Sequence, residues 1–202
     1  MSNGKVTYIA ILRCNTPATF LTQYFKLSDL KVLSRGVIKS IAVFAAREIA
    51  GRIGTGENVV VEEDSFDVFA RKWDVGVCVV CIAGKGYPER VAFSLIQLTF
   101  FEFISKFPNA GEEYTTDVNL GIPEIKALLH QYRDPAVVDA YTDVSNKVHK
   151  TLKIVHKTVA DMLHNEETLE VLVNQSKDLS TRTKDVFAKS RRLKRRSCCY
   201  FM

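Results

Sequence analysis

The residues best suited to chemistry in this 202-residue chain are its five cysteines and four histidines. Cys78-Val-Val-Cys81 has the spacing of a redox or zinc pair, which would need both thiols on one side. It lies inside Val75-Gly-Val-Cys-Val-Val-Cys-Ile-Ala83, an apolar run that reads as a buried strand. Three residues apart on a strand, two side chains face opposite sides with Cα atoms about 10 Å apart, beyond disulfide reach. These two cysteines are therefore read as small core residues. His149, His156 and His164 have no convergent ligand set on one face, so no metal site is expected. Gly84-Lys-Gly86 lacks the glycine spacing of a phosphate loop. No nucleophile, base and carboxylate cluster at a readable spacing, so neither an enzyme nor a small-molecule substrate is expected.

Covalent chemistry is expected instead at Cys198-Cys-Tyr-Phe-Met202. Cys199-Tyr-Phe-Met202 fits a prenylation box, with methionine favouring a farnesyl group, and Cys198 beside it is the candidate for palmitoylation. Just before them stand Lys189, Arg191, Arg192, Lys194, Arg195 and Arg196, with no acid after Asp185. Of the 28 lysines and arginines these six carry the whole excess, since the other 22 face 23 acidic residues. The body is thus neutral and the basicity is a tail. Such a tail suits an anionic membrane surface, where each charge contributes about 1 kcal/mol, better than nucleic acid. One lipid chain holds only marginally, so the second lipid and the basic patch are the signals that make attachment stable. No cofactor is expected beyond the covalent farnesyl and palmitoyl groups.

No apolar run reaches the roughly 18 residues that would span a bilayer. Met1-Ser-Asn-Gly-Lys5 lacks the regions of a secretory signal, and position 2 is not the glycine that N-myristoylation needs. The expected location is the cytosol and the cytoplasmic face of a membrane, held peripherally by lipid.

The elements that must carry this tail fall into two parts. Over residues 1–134 strand-like and helix-like segments alternate: strands near 5–13, 20–27, 59–62, 66–71 and 75–83, and helices near 34–53, 88–107 and 123–131. The order strand, strand, helix, three strands, helix, helix predicts an α+β domain with an antiparallel-type sheet covered by helices. The first long helix has more apolar surface than one buried stripe needs. Ile38, Ala42, Ala45, Ile49 and Ile53 form one face, and Val37, Ile41 and Phe44 a second beside it. The second stripe is either a wide core face or a groove that receives another helix.

From Tyr141 to Leu193 the pattern changes to alternating spacings of three and four. The seam is Tyr141, Val144, Val148, Thr151, Val155, Thr158, Met162, Asn165, Leu169, Leu172, Ser176, Leu179, Thr183, Val186, Ser190 and Leu193. None of the charged residues in this stretch falls on it, which is a coiled-coil heptad signal. Its Ser and Thr layers are too small for a stable homodimer, so the helix needs larger partner side chains. Asn165, near the middle, is a polar layer of the kind that fixes register.

These parts together resemble the prenylated longin-type R-SNARE family, synaptobrevin relatives without a transmembrane helix. The resemblance rests on Tyr87-Pro-Glu-Arg-Val-Ala-Phe93, Lys153-Ile-Val-His-Lys-Thr158 and Cys198-Cys199. It implies a five-stranded longin sheet with helices on both sides over residues 1–134. It implies a SNARE coiled-coil helix with a polybasic end over 135–197, and a lipidated tail over 198–202. In that family the second part joins three Q-SNARE helices in a parallel four-helix bundle that drives vesicle fusion in endoplasmic reticulum, Golgi, endosomal and vacuolar trafficking. Core layers would then be Val148, Val155, Met162, Leu169, Leu172, Leu179 and Val186. The longin domain also folds back on its own SNARE segment, partly through the stripe matched here by Val37, Ile41 and Phe44. The central layer, an arginine in the family's pattern, is Asn165 here. That departure keeps a second function open: a non-fusogenic longin adaptor or regulatory SNARE.

Overall fold

Strand β5 (Val77–Gly84) is buried on both faces along its whole length, as expected of a strand built almost entirely from Val, Cys, Ile and Ala. A computed structural model describes residues 4–29, 32–135, 138, 153–162, 169–186 and 189. Around β5 lie β1 (Val6–Arg13), β2 (Thr19–Phe25), β3 (Asn58–Glu62) and β4 (Phe66–Lys72). A sixth strand, β6 (Ile154–Thr158), completes a sheet of order β2-β1-β5-β4-β3-β6. Every pairing is antiparallel except that of β3 with β6.

Alternation along β5 sorts the core into two layers. Val77, Val79, Cys81 and Ala83 face the layer covered by α2 (Glu89–Lys106) and α4 (Pro123–Gln131). Cys78, Val80 and Ile82 face α1 (Val32–Arg52) through Ala42, Ala46, Ile49, Ala50 and Ile53. The two cysteines thus stand on opposite faces. Burial pushes both thiol pKa values up, so both stay protonated. A register shift between Val6 and Tyr8 turns Val6 onto the same layer as Ile9 and Ile11, a bulge's usual consequence. The short helix α3 (Ala110–Glu113) closes against the β4–β5 turn. It has no counterpart in the sequence reading.

Both edges of the five-strand core are covered. On the β2 side the 117–120 segment runs alongside, with Val118 N–H donating to the Phe20 carbonyl at 2.8 Å and Leu120 N–H to that of Leu21 at 2.8 Å. On the β3 side β6 lies in register from Asn58 opposite Ile154 to Glu62 opposite Thr158. This corrects the expectation of one unbroken helix from 141 to 193, because residues 154–158 are extended. Ile-Val-His-Lys-Thr has three β-branched residues in five, and the β3 edge has backbone groups to satisfy. With no partner helices against the seam, strand pairing is the better use of these residues. Short helices follow among the described residues, α5 (Val159–Met162) and α6 (Leu169–Gln175), and residues 181–186 are helical as well.

Candidate functional site

The C-terminal segment returns to the first domain at three places, and α1 or its sheet face takes part in two of them. At the first place, β6 adds to β3. The Asn58 side-chain amide donates to the Lys153 carbonyl at 3.3 Å, and Lys157 Nζ lies 3.7 Å from a Glu57 carboxylate. His156 stands between two acids, Nδ1 at 3.0 Å from Glu62 and Nε2 at 3.5 Å from Glu89. Lys85 joins the same cluster, 3.5 Å from Glu62 and 2.7 Å from Asp67. The hydrogen bond to His156, and after it the charge of Lys85, hold the Glu62 carboxyl below its ordinary pKa.

At the second place, the buried Met162 joins the layer between α1 and the sheet. At the third, Phe44 is buried in a cluster with Val173 and Leu179, with Leu172 packed against them. Phe44 comes from the second stripe of α1. Val37 and Ile41, from that same stripe, are half-buried.

One turn after Phe44, Arg47 ties this cluster to the rest of the fold. Its Nε donates to Asp178 Oδ2 at 2.6 Å and its Nη2 to Asp178 Oδ1 at 3.1 Å. Nη2 also donates to Asp117 Oδ2 at 2.6 Å, and Nη1 to Asp117 Oδ1 at 3.1 Å and to the Ala18 carbonyl. The guanidinium lies over the Phe20 ring, 4.6 Å from its centroid. Burial alone would lower the Arg47 pKa, but the carboxylates of Asp117 and Asp178 outweigh it and raise the value. The Asp117 carboxyl is in turn held below its ordinary range, chiefly by the Arg47 hydrogen bond.

The heptad residues divide in this arrangement. Leu179 and Thr183 are buried, Val155 and Leu172 are half-buried, and Val186 is 44% exposed. Leu169 opens α6, and Lys189 is exposed. Val173, which is not on the seam, is 5% exposed. Val148, Asn165, Arg191, Arg192, Lys194, Arg195, Arg196, Cys198 and Cys199 lie outside the described residues. Arg47, Asp117, Asp178 and Val173 are absent from the sequence reading. The spacing of Arg47, three residues after Phe44 on the surplus stripe, was the available signal. Among the described residues, no cluster of three or more His, Cys, Asp or Glu could hold a metal, and no helix is long and apolar enough to cross a membrane.

Comparison with known proteins adds to this geometry. Residues 27–124 match the longin family model, described as a regulated-SNARE-like domain. The chain is 31% identical over 201 residues to the synaptobrevin homologue YKT6 of Yarrowia lipolytica, covering 98% of this chain and 100% of that protein. It is 31% identical over 196 residues to the synaptobrevin homologue ykt6 of Schizosaccharomyces pombe, covering 96% and 98%. It is also 28% identical over 198 residues to the VAMP-like protein YKT61 of Arabidopsis thaliana, covering 96% and 98%.

Proposed function

The chain belongs to the longin-domain family of synaptobrevin homologues, a non-enzymatic family, and we propose that it is the R-SNARE-like strand of a vesicle-fusion complex. In this reading residues 135–197 join three Q-SNARE helices in a four-helix bundle. The observation that carries it is the sixteen-position seam, uninterrupted from Tyr141 to Leu193 and free of charge. A seam so rich in Ser and Thr needs bulkier partners to pack.

Attachment would come from a farnesyl group on Cys199 and a palmitoyl group on Cys198. The basic patch from Lys189 to Arg196 would face anionic lipid on the cytoplasmic side of endoplasmic reticulum, Golgi, endosomal or vacuolar membranes. The chain would alternate between two arrangements. In one, the C-terminal segment packs on α1 through Phe44 and on the β3 edge through β6, as in this structure. In the other, the same residues are helical in the bundle. A segment cannot pair as a strand and pack as a helix at once, so the folded-back arrangement would hold assembly back until partners compete for it.

Asn165 favours a second reading. At the central layer it supplies hydrogen bonds to glutamines as donor and acceptor but not the charge-assisted ones of an arginine. The protein would then be a regulatory SNARE or longin adaptor that binds without driving fusion. Mixing the full chain with three Q-SNARE helices decides between them. A thermally stable, SDS-resistant complex that supports liposome fusion is expected. Complex formation without fusion, cured by Asn165→Arg, would favour the regulatory reading. No complex from either protein would rule out both.

A further inference from the structure

The five N–H donors of the Arg47 guanidinium are all used, and three of them are satisfied by the longin domain alone. Asp117 takes one from Nη1 and one from Nη2, and the Ala18 carbonyl takes the other from Nη1. The Phe20 ring covers one face of the group. The remaining edge, Nε and the second Nη2 hydrogen, is what Asp178 occupies. If residues 169–186 left, Arg47 would stay in place with that edge open. A planar fork already held in position loses little side-chain freedom when a carboxylate arrives, and it matches two oxygens at once.

We propose that Arg47 is the residue by which the longin domain selects its own C-terminal segment, forming with Phe44 a preformed receptor for an acidic-apolar sequence. The pattern it fits is an apolar anchor at Val173, then Asp178 next to a second apolar anchor at Leu179. The side chains of Arg47 and Asp178 are 18% and 16% exposed, so their pairing is little screened by solvent. The apolar anchors supply contact that any greasy helix could make. Arg47 supplies the discrimination, since a segment lacking the carboxylate leaves two guanidinium donors unpaired. The fit reaches further into the domain through Asp117, which accepts from the Phe20 N–H at 2.9 Å and so ties the receptor to the segment covering the β2 edge. This inference rests on the reading that the C-terminal segment exchanges between the folded-back arrangement and a bundle.

Amide hydrogen exchange across residues 169–186 of the full chain tests it. Asp178→Asn keeps the shape and removes the charge. It should speed exchange there roughly tenfold or more, the usual consequence of losing a charged hydrogen-bonded pair, and speed assembly with Q-SNARE helices in parallel. Residues 77–84 report whether the domain itself stays folded, and should not change. Phe44→Glu is the companion variant, because it removes the apolar half of the receptor. If Phe44→Glu speeds exchange and Asp178→Asn does not, Arg47 is no selector and the proposal fails while the fold-back reading stands. If neither variant moves exchange, the fold-back reading fails and takes this proposal with it. Asp178→Glu, which keeps the carboxylate on a longer arm, should restore part of the protection that Asp178→Asn loses.

Discussion

His156 Nδ1 lies 3.0 Å from a carboxylate oxygen of Glu62, so the parallel pairing of β3 with β6 is also joined by a side-chain hydrogen bond. On its other side the ring faces Glu89 at 3.5 Å, and Lys85 stands 3.5 Å from Glu62. The Glu62 carboxyl is held below its ordinary value, so its contribution to closure is fully present above the ordinary glutamate range, about pH 4.3. It is lost as pH falls through the lowered value. The protection of the amides at residues 154–158, measured against the unstructured chain at the same pH, should therefore fall as the solution is acidified through the carboxylate range. In Glu62→Gln that dependence should be shallower, and exchange faster already at neutral pH. Identical profiles for parent and variant would mean that strand pairing alone holds β6.

The Asp117 carboxyl makes a similar statement about the other sheet edge. Its pKa is lowered mainly by the Arg47 hydrogen bond, so the stabilisation it contributes is present above the ordinary aspartate value, about 3.9. That stabilisation disappears as pH drops through the lowered one. Asp117→Asn should lower the unfolding midpoint at neutral pH, with the parent and variant curves converging in acid. A constant gap at every pH would assign the loss to the Phe20 hydrogen bond instead.

Gly111 is a steric requirement. A Cβ built on it would lie 1.9 Å from the carbonyl oxygen of Val75, which is backbone and cannot swing aside. Gly111→Ala must push α3 away from the β4–β5 turn, and overpacking of this kind costs about 1–3 kcal/mol. Chemical denaturation of the variant measures that loss. A stability equal to the parent's would show that α3 is loosely held.

The proposed lipid anchor would form in two steps. Cys199→Ser should leave the protein entirely in the soluble fraction, because prenylation would precede acylation. Cys198→Ser should give weak, exchanging attachment, one chain short of a stable anchor. Fractionation of cells expressing each variant gives the answer, and a Cys199→Ser protein retained on membranes as well as the parent would exclude the scheme.

The domain was largely legible in the sequence because its local signals agree with its packing. Val75 to Ala83 carries an apolar residue at nearly every position, which suits only a strand buried on both faces. The helices expected near 88–107 and 123–131 begin at Glu89, just after the extended Pro88, and at Pro123. The two cysteines separated across the sheet for the reason that strand periodicity supplies. Beyond Tyr141 the same reasoning stopped short, because a heptad pattern describes a helix among partners, not one without them. Residues 154–158 satisfy both a seam and an edge strand, and pairing with β3 decides between them. Arg47 carried only its spacing after Phe44 as a signal, and its role was hidden for a different reason. Its acceptors come from residues 18, 117 and 178, which only the tertiary fold brings together.

The two arrangements proposed for the C-terminal segment bury different residues, and that difference can be measured. Val173 is off the heptad seam yet 5% exposed, packed with Phe44 and Leu179. Val186 is on the seam yet 44% exposed. Truncating Val173 should weaken the folded-back arrangement and leave the bundle's layers intact, whereas truncating Val186 should do the reverse. Burying a valine side chain is worth roughly 1.5–3 kcal/mol, and a loss near 2 kcal/mol changes an equilibrium about thirtyfold. Val173→Ser should thus speed exchange at residues 169–186 and hasten assembly with Q-SNARE helices, without lowering the melting temperature of the finished complex. Val186→Ser should lower that melting temperature while leaving exchange in the free chain as it was. Leu179 serves both sets, being on the seam and buried against Phe44, so Leu179→Ser should lose on both measurements. If Val173→Ser and Val186→Ser behave alike, the segment buries one set of residues throughout, and the division between strand-like closure and helical assembly does not exist.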